Sequence, residues 1–138
     1  MDCFRSHFAI MSTEEDPYGP DLLPVFPLED FDAELIRSVC LEEVEKAFKD
    51  LKYENLKKDR IITSLTSDIL TKIAPDGKGD FKYVTHCTIT PKRAGPIDIF
   101  SNNFWDPMND GMSVVNYEND DISVVFIIWG IKIKKPKL

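Results

Sequence analysis

The sequence contains few residues from which a metal site or a disulfide framework could be built. Its 138 residues include three cysteines and two histidines. Cys3, Cys40 and Cys87 are an odd number of thiols at wide spacing, with no C-x-x-C pair. Structural zinc sites and disulfide scaffolds use cysteines at short, regular spacing. We therefore expect neither, and the free thiols favour a reducing compartment.

Long apolar runs are also missing. No run approaches the roughly 18 residues that predict a membrane span. The segment "FAIM", Phe8 to Met11, is too short for the core of a signal peptide. We expect an intracellular, soluble protein with no membrane partner.

The chain has no extended region with an excess of positive charge. The formal net charge is −7, and residues 1–34 hold nine acidic residues against Arg5 alone, so the remainder is close to neutral. Four lysines cluster only at the C-terminus, at positions 132, 134, 135 and 137. A nucleic-acid site needs a coherent basic surface, so we expect no nucleic-acid partner.

One segment, "DPMNDG", Asp106 to Gly111, has the appearance of a calcium loop. Its third position is Met108 where an oxygen ligand is required, and its twelfth is Tyr117 where a bidentate Glu belongs. The alternative is a turn held by Asp and Asn side chains, with Pro107 and Gly111 setting the backbone. We favour the turn and predict no metal.

No set of residues suggests catalysis. His86 and Cys87 are adjacent, but neighbours on a strand point to opposite faces and cannot form a nucleophile–base pair. The segment "DGKGD", Asp76 to Asp80, lacks the Ser or Thr and the preceding strand of a phosphate loop. The sequence therefore predicts no enzyme and no cofactor.

The chain divides into an arm and one domain. Residues 1–28 contain four prolines and no sustained periodicity, which predicts a flexible acidic arm whose "DLLPVFPL" portion, Asp21 to Leu28, could cover an edge or a groove. Residues 29–138 form the predicted domain. Apolar residues at helical spacing predict one helix from Phe31 to Leu51 and a second around Ile62 to Ile73.

The period then changes to that of strands. We predict four of them, at Phe81–Thr90, Ile97–Trp105, Met112–Glu118 and Ile122–Ile133. The last is nearly all apolar and should lie inside the sheet. This order predicts an α+β fold with two helices on one face of a four-stranded antiparallel sheet. The polar strand Ile97–Trp105 could accept another chain as an added strand, although its aromatics could equally be core.

Several segments together resemble the Tctex-type dynein light chains. They are "FKYVTHCTITPKRAG" (Phe81 to Gly95), "FWDPMNDG" (Phe104 to Gly111), "VVNYEND" (Val114 to Asp120) and "VVFIIWGIKI" (Val124 to Ile133). The resemblance runs from about Phe31 to Ile133 and makes residues 29–138 a Tctex-type domain.

The resemblance implies a non-catalytic light chain that dimerises by exchanging its second strand. It binds a linear segment of the dynein intermediate chain along that strand and links cargo proteins to the motor. Its partners would be the intermediate chain and itself or another Tctex-type chain, in the cytoplasm and cytoskeleton, including the cilium or flagellar axoneme. The implied dimer and peptide groove consists of Ile99, Phe100, Ser101, Asn102, Asn103, Phe104 and Trp105.

The stretch "PIDIFSNN", Pro96 to Asn103, differs from the Ser/Thr-rich run of the best-known members, which leaves the peptide preference open. A second function therefore stands beside the first: a dynein-independent adaptor that uses the same groove. In that case the chain's own segment Asp21 to Leu28 could compete for the groove.

Overall fold

The computed structural model describes residues 28–136 and, for the backbone alone, residues 2–7. Most of the predicted arm, residues 8–27, lies outside the described residues, and the boundary at residue 28 stays a prediction. The regular elements are β1 (Asp2–His7), α1 (Ala33–Phe48), α2 (Lys58–Ile73), β2 (Phe81–Pro91), β3 (Phe100–Trp105), β4 (Gly111–Glu118) and β5 (Ile122–Lys132). Three single-turn 3-10 segments lie in the connections.

Helix α1 begins where the sequence places a capping residue. The carboxylate of Asp32 accepts a hydrogen bond from the main-chain N–H of Leu35 at 3.0 Å, which satisfies one unpaired donor of the first turn. Glu34 adds negative charge at the positive end of the helix dipole. Neither of the two α-helices in the described part of the chain is long and apolar enough to cross a membrane.

The main sheet has three antiparallel strands in the order β2-β5-β4. The apolar strand β5 is central, as its sequence predicts. Its core-facing side is buried, with Ile128 at 0% exposure, whereas the opposite side is only partly covered: Ile127 is 2% exposed and Ile131 is 37% exposed. The two helices pack on one face, where Ile36, Val44 and Phe48 of α1 and Ile69 of α2 are fully buried in the core that includes Phe126. The predicted α+β fold is confirmed.

An ion pair connects the helices at the edge of this core. The Glu43 carboxylate of α1 is almost completely buried and contacts the ammonium group of Lys72 in α2. Lys46 approaches the same carboxylate oxygen at 3.5 Å. A buried carboxylate needs such partners because removing it from water is costly.

Phe31 fills a space between the start of α1 and the sheet. Gly111 of β4 and Gly130 of β5 are direct partners in the antiparallel register. The Phe31 ring lies where a Cβ at either glycine would project, and it meets Phe81 of β2 edge to face at 6.0 Å between centroids. The two glycines therefore allow the ring to approach the backbone closely.

The predicted fourth strand does not join this sheet within one chain. Among the described residues, β3 pairs only with β1, in a separate two-stranded antiparallel ribbon. Strand β3 also begins at Phe100 rather than Ile97, because residues 95–99 have no regular structure. A single chain thus presents three strands of the predicted sheet and holds the other strand apart.

Candidate interaction surface on strand β3

The turn between β3 and β4 fixes the C-terminal end of β3. The Asp106 carboxylate accepts hydrogen bonds from the side chain of Asn109 at 2.7 Å and the main-chain N–H of Met108 at 3.1 Å. These bonds hold the pKa of Asp106 below its usual value. The Asp110 carboxylate accepts from the main-chain N–H groups of Asp106 (2.9 Å) and Lys132 (2.8 Å). The prediction of a side-chain-held turn is confirmed.

A main-chain hydrogen bond anchors the start of the connection from β2 to β3. The main-chain N–H of Lys92 donates to the carbonyl of Asp121 at 2.9 Å. Gly95 has φ +82, a conformation that favours glycine, and the chain then runs exposed from Pro96 to Asp98. Ile99 is half-buried and lines a cavity of about 370 Å³ with Thr88 and Val125 among its other walls.

The side chains of β3 alternate in exposure. Phe100 and Phe104 are 60% and 64% exposed, with the exposed Asn102 between them. Ser101, Asn103 and Trp105 alternate with them and are half-buried. Two exposed phenylalanines on one face of a short strand are unusual for a surface that contacts only water.

The half-buried face of β3 carries polar atoms that lack partners. Ser101 Oγ, Asn103 Nδ2 and Trp105 Nε1 are buried without a hydrogen-bond partner among the described residues, as is Trp129 Nε1 in β5. Buried polar atoms are nearly always hydrogen-bonded in folded proteins, and each exception calls for an explanation. Three such atoms on alternate residues of one strand indicate that β3 is incomplete as a single-chain element.

The neighbouring His86 and Cys87 do not form a catalytic pair. His86 is exposed, and its Nε2 lies 3.2 Å from the Thr88 hydroxyl. Cys87 is partly buried against the core. Burial raises the pKa of the Cys87 thiol to about 11. Burial, and to a smaller extent the negative charge of Glu43, raises the pKa of the Cys40 thiol to about 12.

These thiols should react very slowly with alkylating reagents in the folded protein. Only the thiolate is nucleophilic, and raising a pKa from 9.0 to about 12 lowers the thiolate fraction near pH 8 about a thousandfold. In a Cys3→Ser variant, we expect Cys40 to label at least about a hundredfold more slowly in the native state than in urea. Mass spectrometry of quenched samples measures both rates, and equal rates would contradict the buried placement.

The same thiols predict how stability changes at high pH. Their folded pKa values lie above the ordinary value of 9.0, so the unfolded state loses the protons first. Their contribution to stability is thus fully present below about pH 9 and declines as the pH rises toward the folded values. A Cys40→Ala, Cys87→Ala variant should show a smaller fall in stability across this range.

The structure brings the predicted groove residues onto one strand and its approach, and it adds neighbours that the sequence did not indicate. Phe104 and Trp105 line a cleft of about 890 Å³ together with Ile131, Lys132 and Ile133 at the end of β5. The sequence patterns also did not predict strand β1, because Asp2–His7 lies within the predicted arm and shows no clear alternation of apolar and polar residues. The segment proposed to cover a groove, Asp21 to Leu28, lies outside the described residues except for Leu28, which packs against the core.

Several known proteins are similar to this chain in sequence. A Dynein light chain Tctex-type of Dictyostelium discoideum is 26% identical over 103 residues, which cover 75% of this chain and 93% of that protein. Dynein light chain Tctex-type 3 of Homo sapiens is also 26% identical over 103 residues, covering 75% and 88%. The Canis lupus familiaris protein of the same name is 23% identical over the same length.

Residues 30–131 match the profile of the Tctex-1 family. The match includes both helices, β2, β3, β4 and β5 up to Ile131, and it contains the turn and the glycine pair described above. The resemblance inferred from the sequence motifs is therefore confirmed, and the chain belongs to the Tctex-1 family.

Proposed function

We propose that this protein is a non-catalytic dynein light chain of the cytoskeletal motor. It forms a dimer by exchange of β3, binds a linear segment of the dynein intermediate chain by strand addition, and links cargo to the motor. Family membership and the names of its relatives, which are dynein light chains, support the role. The groove would be formed by residues 99–105.

One observation carries the proposal: β3 is not part of the sheet formed by its own chain. In the described part of the chain, β2 and β4 pair with β5 on one side only, so each has a second edge with no strand on it. A strand from a second copy that pairs with β2 would complete a four-stranded sheet. Edge strands pair readily in this way because their main-chain groups are already aligned.

The side chains of β3 support the same interpretation. Dimerisation would cover the exposed Phe100 and Phe104, whose burial supplies roughly 25 cal/mol for each Å² removed from water. It would also supply partners for Ser101 Oγ and Asn103 Nδ2. A polar strand that is marginal in one chain thereby becomes the fourth strand of a larger sheet.

A dimer would present two peptide grooves in one particle. A dimeric intermediate chain then gains from effective concentration, because binding of its first segment holds the second close to its groove. Individually weak strand additions suffice for a stable complex. The proposed role therefore depends on the oligomeric state.

We expect the full chain to sediment as a dimer at micromolar concentration and the double variant Asn102→Pro, Asn103→Pro as a monomer. Adjacent residues of a strand point their N–H groups to opposite edges, so the two prolines remove one donor from each edge of β3. The matched variant Asn102→Ala, Asn103→Ala keeps both N–H groups and should remain dimeric. A monomeric wild-type protein would overturn strand exchange.

Binding is measured with a recombinant dynein intermediate chain and the same three proteins. We expect capture by the wild type and the alanine variant and loss of at least about tenfold in affinity for the proline variant. Circular dichroism verifies that the proline variant keeps its helices. A dimer that fails to bind the intermediate chain would instead favour the dynein-independent adaptor.

A further inference from the structure

We propose that the N-terminal strand β1 is an internal ligand of β3 that competes with the incoming linear segment. The proposal rests on the proposed function in one respect, namely that β3 is the recognition strand. It adds a regulatory contact: the protein occupies its own peptide-binding edge until a partner displaces β1.

The pairing covers the whole of β3. The antiparallel register runs from Asp2 opposite Trp105 to His7 opposite Phe100, six consecutive residue pairs with no bulge. In such a ladder, every second residue of β3 directs its N–H and C=O groups toward β1. A linear segment that adds to this edge needs those same groups, so the two strands cannot bind there together.

The edge covered by β1 corresponds to the peptide edge. A strand has two edges, and in the proposed dimer one edge of β3 faces the eleven-residue β2 of the other copy. The remaining edge receives a short linear segment. Strand β1 is itself a short segment of six residues, so it takes the place of the ligand and leaves the exchange edge available.

The β1–β3 ribbon is suited to displacement. Neither strand pairs with the three-stranded sheet among the described residues, and the ribbon has only two strands. Isolated two-stranded ribbons are marginally stable in water. A partner strand with better side-chain contacts can therefore replace β1 without disturbing the main sheet or the helices.

The covalent connection gives β1 an advantage over a free peptide. Twenty residues, 8–27, separate it from Leu28 in the sequence. Because β1 and β3 belong to one chain, their pairing does not depend on protein concentration. An external ligand binds only the open fraction, so its apparent dissociation constant is raised by the inverse of that fraction. Weakening β1 should consequently tighten external binding.

The test uses the full chain with the double substitution Phe4→Pro, Arg5→Pro. Successive N–H groups of a strand point alternately toward and away from the neighbouring strand, so either residue 4 or residue 5 donates to β3. Replacing both residues with proline therefore removes one hydrogen bond to β3 in either case. Thr13→Pro, outside β1, is the matched control. The probe is a fluorescent peptide of residues 1–8 with Cys3→Ser, and its binding is followed by anisotropy.

We expect the probe to bind the Phe4→Pro, Arg5→Pro protein at least about fivefold more tightly than the wild type or the Thr13→Pro control. A probe carrying the same two prolines should not bind. Hydrogen exchange of residues 100–105 should be faster in the variant, and its sedimentation should equal that of the wild type. The recombinant intermediate chain, used as a competitor, should displace the probe.

Equal probe affinity for variant and wild type, or no binding to the variant, would overturn the proposal. A changed oligomeric state with unchanged probe binding would also overturn it, because β1 would then cover the exchange edge. Failure of the intermediate chain alone to displace the probe would count against the proposed function and leave the internal contact intact.

Discussion

Gly130→Ala is expected to lower the free energy of unfolding by about 3 kcal/mol, within the upper part of the range for overpacking. A Cβ at this position would lie 2.5 Å from Cδ2 and 2.7 Å from Cε2 of Phe31, closer than carbon atoms can approach. Phe81 Cδ1, at 3.4 Å, restricts movement on another side. The ring must leave its site, and Phe31 directly precedes the capping residue Asp32. Urea denaturation measures the loss.

A double-mutant cycle with Phe31→Ala identifies the cause. Without the ring, the Cβ has space, and Gly→Ala in an ordinary strand conformation reduces the entropy of the unfolded chain. We expect Gly130→Ala to be neutral or slightly stabilising in the Phe31→Ala background, so the coupling energy should be about 3 kcal/mol. Gly111→Ala should behave alike, since the same ring blocks its Cβ. If the effects of Gly130→Ala and Phe31→Ala on the free energy of unfolding were additive, the contact with the Phe31 ring would not be the cause of the destabilisation.

Asn119→Ala is expected to cost about 2 to 4 kcal/mol, because one side chain joins the β4–β5 hairpin to the end of α1. Its Nδ2 donates to the carbonyls of Phe48 and Leu51, both at 2.9 Å. Its Oδ1 accepts from the main-chain N–H groups of Asp121 and Ile122 at 2.8 and 2.9 Å. The substitution removes one partner from each of these partly buried groups, although the Phe48 carbonyl keeps the main-chain N–H of Leu51 at 3.2 Å as a donor. Asn55→Ala, at an exposed site, should stay within about 0.5 kcal/mol of the wild type.

The substitution Asn119→Asp tests the donor role of the Asn119 side chain separately from its acceptor role. The variant keeps the acceptor oxygen. Its second oxygen replaces Nδ2, cannot donate at neutral pH and faces the carbonyl oxygens of Phe48 and Leu51. We expect this variant to be at least as destabilised as Asn119→Ala at pH 7. A protonated carboxyl group would again donate toward these carbonyls, so the deficit should shrink as the pH falls. A variant as stable as the wild type at pH 7 would contradict the observed amide orientation.

Both predictions concern the frame that presents β3. The hairpin contact to α1 holds the helix on the sheet, and the Phe31 site joins the start of α1 to β4 and β5. The aspartate turn at residues 106–110 then connects this frame to the end of β3. Rigid support on one side and a weak ribbon on the other are compatible with the proposed exchange of partners by β3.

The sequence predicts those features whose cause is local. Apolar spacing of three and four residues predicts α1 and α2, since one face of a 3.6-residue helix must be buried. The continuous apolar run of β5 predicts a central strand, since runs of this kind are typical of strands inside a sheet. The segment Asp106–Gly111 predicts a turn from the side chains of Asp and Asn and from the backbone preferences of Pro and Gly. The motifs of the same segments also indicate the family.

The remaining features depend on partners distant in the chain. Gly111 and Gly130 become significant through their pairing and through Phe31, and Asn119 through the carbonyls that end α1, about seventy residues away. Local sequence patterns also give no sign that β3 stands apart from its own sheet, which only the family resemblance implied, or that Asp2–His7 pairs with it. A strand's side-chain alternation specifies which face is buried, but main-chain hydrogen bonds are common to all residues and carry no sequence signature. The choice of strand partner is therefore settled by the folded arrangement.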